Sequence, residues 1–175
     1  MRFVNRMSFV ACAAFVLGIV LSASASVQAA TLTVNSVADV AADDGQCTLR
    51  EAITAANNDA ASGAAAGECI AGSGTDTIDI NVTGTITLTS VLPDLTTNLT
   101  ISNTQASGVM VQGNNTFRIF RVVGSVTVGI NNLTISNGNA TSDYGGGIRN
   151  AGTLSVTNST FSGNSAVFYL SLIHI

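Results

Sequence analysis

Few side chains in this 175-residue chain can carry acid–base, nucleophilic or metal chemistry. The single histidine, His174, stands next to the end, and there is no lysine and no tryptophan. From Asn81 to Ala166 the acidic residues are Asp94 and Asp143 alone. Glycoside hydrolysis generally needs two carboxylates flanking one bond. A polysaccharide lyase needs a base, often with calcium held by carboxylates. Asp94 follows Pro93 and reads as a turn residue. Asp143, beside Tyr144, reads as loop. Arg118 and Arg121 could hold a uronic acid, and the alternative is that they cover a strand. The run Gly145-Gly146-Gly147 is not a phosphate cradle, because no helix follows it; it suits a tight corner. Sequons such as Asn98-Leu99-Thr100 and Asn132-Leu133-Thr134 match a glycosylation pattern, but they equally suit polar ladders at the corners of stacked strands. No catalytic set, cofactor site or metal site is assigned.

The two ends of the chain place it. Arg2 and Arg6 precede an apolar run from Phe9 to Leu21, followed by small residues to Ala30. These are the three parts of a secretory leader. Val27-Gln28-Ala29 suits a signal peptidase, so residues 1–29 are expected to be removed, with cleavage after Ala29 or one residue later. The apolar run is shorter than the roughly 20 residues a membrane span takes, and it continues well past Cys12, which argues against a lipoprotein. No transmembrane span is expected in the mature chain. At the other end, residues 167–175 are apolar and out of pattern. Leu170-Ser171-Leu172-Ile173-His174-Ile175 matches the translation of a transposon end used to fragment DNA for sequencing. Residues 170–175 are therefore expected to be adapter read-through, with the natural coil running on past Ala166; the alternative is a true terminal strand.

Export sets the redox compartment. Cys12 leaves with the leader, and Cys47 and Cys69 remain as an even pair, so a disulfide is expected. It closes a loop of about 20 residues and stabilises by roughly 3 kcal/mol on the loop-entropy account. Four arginines, Arg50, Arg118, Arg121 and Arg149, face ten acidic residues in the mature chain. That balance excludes a basic footprint for nucleic acid and a polybasic patch for anionic lipid. A Thr-, Asn-, Ser-, Gly- and Val-rich chain with little charge reads as β structure with hydroxyl-rich outer faces.

The elements that must position these residues follow from local pattern. Thr31 to Val34 alternates as a strand. Thr48-Leu49-Arg50-Glu51 fits a capping box, with Thr48 as N-cap and Glu51 three residues on. Leu49, Ala52, Ile53 and Ala56 share one helical face, so a short helix runs from Leu49 to about Asn57. Residues 59–74 read as a surface loop tied back by Cys69. From Asp76 onward short alternating runs are separated by Gly, Asn, Ser or Asp. Asn98-Leu99-Thr100-Ile101-Ser102-Asn103 recurs as Asn132-Leu133-Thr134-Ile135-Ser136-Asn137, and Thr160 to Ala166 echoes Thr134 to Ala140. Repeated strand-plus-turn units mark a solenoid. The expected fold is all-β, a right-handed parallel β-helix over residues 76–166 with on the order of four rungs. A solenoid exposes apolar surface and unpaired backbone at its open end. Residues 30–75 are expected to cap it, with Leu49, Ile53 and Ala56 facing in and Arg50 and Glu51 facing out or fixing the cap.

Thr33-Val34-Asn35-Ser36, Asp44-Gly45-Gln46-Cys47-Thr48-Leu49-Arg50-Glu51-Ala52 and Ala55-Ala56-Asn57 together resemble the CSLREA domain, with Thr48 where the family name has Ser. Asp76-Thr77-Ile78 follows where that family enters its β-helix, so the resemblance covers Thr31 to about Ile80. Gly145-Gly146-Gly147-Ile148 and Phe161-Ser162-Gly163-Asn164 resemble the two short repeats of polymorphic outer-membrane proteins. The resemblance implies a right-handed parallel β-helix that is secreted or displayed on a cell surface. It brings no catalytic residues with it. The expected role is a structural or adhesive module binding surface glycans or proteins of a host or neighbouring cell. The alternative is a fragment of a polysaccharide lyase or glycoside hydrolase whose active site lies in further rungs.

Overall fold

The computed structural model describes residues 28–141, 144–167 and 173–174. The expected leader up to residue 27, and Asp143, lie outside the described residues. The chain forms a parallel β-solenoid of about three turns.

The chain opens with β1 (Thr31–Val34) and then α1 (Leu49–Asn58). The first rung holds β2 (Asp76–Ile80) and β3 (Gly84–Thr87), and the second holds β4 (Leu99–Asn103), β5 (Val109–Gln112) and β6 (Phe120–Val122). A third contains β7 (Thr127–Asn131), β8 (Leu133–Ser136), β9 (Asn139–Ala140) and β10 (Ile148–Asn150). The last contains β11 (Thr153–Thr157), β12 (Thr160–Ser162) and β13 (Ser165–Ala166), and β14 (Ile173–His174) follows. The strands stack as a five-stranded sheet β1-β2-β4-β7-β11, a four-stranded sheet β12-β8-β5-β3, a three-stranded sheet β14-β10-β6 and the pair β13-β9. Every strand pair is parallel.

Alternation decides which side chains enter the coil. Leu32, Ile78, Ile101, Ile130 and Val156 stack in register on the five-stranded sheet. Ile86, Val111, Ile135 and Phe161 stack on the four-stranded one. The first four members of the first stack and the first three of the second are wholly buried. Each such burial stabilises by about 1.5–3 kcal/mol. In the last rung Leu154, Val156 and Phe161 are only partly buried.

Thr160 to Ser162 lies on Thr134 to Ser136, and Ser165-Ala166 on Asn139-Ala140, so that echo marks equivalent places in successive rungs. The more exact repeat does not. Leu99–Asn103 belongs to the five-stranded sheet and pairs in part with β7, whereas Leu133–Ser136 belongs to the four-stranded sheet and pairs with β5. Both stretches satisfy the same demand, apolar in, hydroxyl out, turn after, and every face of a coil makes that demand.

The cap is built as a clamp. Thr48 Oγ1 accepts from Glu51 N, and Glu51 Oε2 accepts from Thr48 N at 3.0 Å, closing the capping box. The helix runs one residue further than expected and ends at Asp59, which takes the left-handed conformation at φ 50°. Leu49, Ala52, Ile53, Ala55 and Ala56 are buried, and α1 packs on β1 and β2. Cys47 and Cys69 form the disulfide, with Cα atoms 4.7 Å apart. No helix among the described residues is long and apolar enough to cross a membrane.

Candidate binding surface

Two hollows open on the outside of the coil, the second of them mainly polar. The first, about 490 Å3, lies on the outer face of the five-stranded sheet. The outward column there runs Thr31, Thr77, Thr100, Gly129, Ser155. Gly129 contributes no side chain to that column, and Thr100 leans over the gap, with Oγ1 3.1 Å from where a Cβ would stand. The second hollow, about 750 Å3, lies at the corner between β7 and β8 and beneath the segment joining β4 to β5. Asn131 lines both, so the two hollows adjoin at the corner and together make up a trough on either side of it.

The corner forms because the chain must reverse there within one or two residues. Asn132 (φ 57°) and Asn158 (φ 49°) take left-handed backbone at equivalent places of successive rungs. Asparagine tolerates that region better than other residues with a Cβ. Asn132 Nδ2 then donates to Asn103 O at 3.3 Å, tying the corner to the rung beneath.

No charged side chain lines either hollow. The side chains of Asn131, Asn158, Thr100, Thr134 and Thr160 have no hydrogen-bond partner among the described residues, and they face the trough with donors and acceptors unspent. Asn103, 2% exposed, accepts from Gln105 N through Oδ1 and leaves its buried Nδ2 without a partner.

The residues singled out from sequence occupy other places. Gly145 takes φ 65°, and a Cβ on Gly146 would fall 1.9 Å from Ser165 O, so the glycine run makes the tight corner expected of it. Gly147 O accepts from Phe120 N at 3.0 Å, and Ile148 stacks on Phe120 in the core. Phe161 stacks on Ile135. Asn164 accepts from Gly138 N at 2.8 Å and donates to Ile135 O at 2.9 Å, pinning one rung to the next. These motif residues build the coil; the trough is made by others.

No protein-family model, curated protein or solved structure matches this chain.

The charged residues serve mainly to join cap and coil. Arg50 meets both carboxylate oxygens of Asp39 at 2.9 Å and donates to Val91 O and Ser90 O, so it fixes the cap. Asp39 also accepts from Thr89 N at 2.6 Å. Asp94 pairs with Arg121 at 3.0 Å between neighbouring rungs, and its carbonyl accepts from Asn57 of the helix at 2.7 Å. Arg118 Nε donates to Gly145 O at 3.0 Å. Sequence reasoning missed both the trough and Asp39. The trough is formed by residues from different rungs, and its one visible sign was Gly129 at an outward place of β7 where a side chain would otherwise stand.

Proposed function

We propose that this protein is an exported β-solenoid, displayed on a cell surface or secreted, that binds uncharged glycans along the trough centred on Asn131. The carrying observation is a pair of adjoining hollows, sharing Asn131, that present unspent amide and hydroxyl groups with no ionised side chain among the described residues of their lining. Sugar hydroxyls both donate and accept, as do amides and hydroxyls, so the two surfaces complement each other. A uronic acid would call for a cation in the cleft. The composition of Met1 to Ala29 supports export, and the resemblance of Thr31 to Ile80 to the CSLREA domain supports a surface or secreted role.

Affinity electrophoresis through gels holding a neutral glucan, a neutral mannan or polygalacturonate tests the reading. Retardation on at least one neutral polysaccharide is expected. Replacing Asn131 and Asn158 together by Ala should weaken it about tenfold or more, the loss that one or two hydrogen bonds imply. Retention on polygalacturonate alone, or retention untouched by the double replacement, overturns the proposal. Release of new reducing ends would favour the hydrolase reading, and release of unsaturated sugars the lyase reading.

A further inference from the structure

Three carboxylates in the first half of the chain are buried, and two of them have full partnerships. Asp39 has Arg50, and Glu51 has the N–H groups of Thr48 and Ala42. Asp76, 1% exposed at the start of β2, is different. Its Oδ1 accepts from Ser73 N at 2.8 Å and from Ala30 N at 3.1 Å. Its Oδ2 is buried with no partner, and no cation among the described residues reaches it. The site is closely built around this carboxylate: a Cβ on Gly72 would stand 2.5 Å from Oδ2. A buried, unneutralised carboxylate is costly.

The residue facing it is the one expected to become the N-terminus. Ala30 is held from both sides, by Asp76 at its nitrogen and by Thr77 N, 2.8 Å from its carbonyl oxygen. Hydrolysis of the Ala29–Ala30 peptide breaks the C–N bond. The water oxygen stays on Ala29 as a carboxylate, and both water protons pass to the Ala30 nitrogen. An amide with one N–H thereby becomes an ammonium with three, charged at neutral pH, since an α-amino group has an ordinary pKa of about 8. We propose that removal of the leader before Ala30 supplies the cation that buried Asp76 lacks, so that processing itself completes and locks the first turn of the coil. The ammonium would stand where the amide now donates to Oδ1 and bring a positive charge against the carboxylate. The inference rests on residues 1–29 being a leader and is independent of any glycan.

The test compares the exported, processed protein with a chain that retains Gln28-Ala29 ahead of Ala30, both oxidised at Cys47 and Cys69. Mass analysis of the exported form should give Ala30 as its first residue. That form should melt higher than the extended one by roughly 4 °C or more. Asp76→Asn should lower the melting temperature of the processed form and change the extended form much less. If Asp76→Asn does not fold, acetylation of Ala30 in the processed chain removes the charge but keeps one N–H, and should reproduce the loss. The free amine should resist acylation until the protein unfolds. A first residue other than Ala30, equal melting of the two forms, equal effects of Asp76→Asn in both, or an amine that acylates freely in the native protein would each overturn the proposal.

Discussion

At Asp39 burial and bonding pull in opposite directions. Burial raises the carboxyl pKa, but the Arg50 hydrogen bonds, those from Thr89 and the attraction of the Arg50 charge together hold it below the ordinary value. A carboxylate with a depressed folded pKa contributes stability that is fully present above its unfolded pKa, about 3.9, and is lost as pH falls through the lower folded value. Urea unfolding followed from neutral pH down to about pH 2 should therefore show the midpoint falling on the acid side. Asp39→Asn should cost about 1–3 kcal/mol at neutral pH, because it leaves half-buried Arg50, screened in part by water, without its counter-charge, and should flatten the acid limb. An unchanged acid limb in the variant would refute this account. Glu68, half-buried, also lies below its ordinary value, held first by Ser62 and then by the N–H groups of Gly45 and Asp44. Thr48 and Glu51 were legible because a capping box is local, its two ends three residues apart. Asp39 was not, because its partners lie 11 and 50 residues away.

Among the elements, the cap shows what a short helix requires. Ten residues do not hold a helix in water unaided. Here Thr48 and Glu51 close its first turn, and Cys47, one residue before the cap, anchors it to Cys69 across a separation of 22 residues. Replacing both cysteines by Ser should cost about 3 kcal/mol, read as a lower urea midpoint, and dithiothreitol should shift the parent to the same midpoint. A parent indifferent to reductant would show that packing alone holds the cap. The strands were legible by alternation, since inward Ile, Leu or Val alternates with outward residues that are most often Thr or Ser. Their partners were not. The duplicated stretch from Asn98 and from Asn132 suggested equivalent places, yet the two occupy different sheets. Backbone pairing in a parallel ladder is blind to such identity; the true register is set by corner length. Rung-to-rung contacts in the coil join residues 23 to 29 positions apart, as between Ile78 and Ile101 or Asn132 and Asn103.

Across the whole molecule, stability is close to a sum of rungs and the interfaces between them. An inward residue between two rungs loses contacts on both sides when truncated; one in the last rung loses them on one side. Ile101→Ala should cost about 2–5 kcal/mol, and Val156→Ala about 1 kcal/mol, given its partial burial. Equal costs in urea denaturation would contradict the difference in burial between Ile101 and Val156. The solenoid itself was readable because the same short-range rule repeats through the chain. The trough was not, because it depends on which side chains from separate turns share a corner. The backbone of Ile173–His174, in the segment expected to be adapter read-through, pairs in parallel with Ile148-Arg149. A ladder edge accepts any extended backbone, so that pairing carries no information about the origin of the segment.

The position of Asn164 bears on how the protein ages. An asparagine followed by glycine is the pair most prone to spontaneous deamidation, in which the glycine nitrogen attacks the preceding side-chain carbonyl. Asn137-Gly138 is such a pair, but the Gly138 nitrogen is engaged by Asn164 from the rung above, 2.8 Å away. While the last rung stays seated the attack is blocked. When that rung peels off, the reaction can proceed and leaves an aspartate or isoaspartate behind. Residue 137 thus keeps a slow chemical record of how often the rung carrying Asn164 has opened.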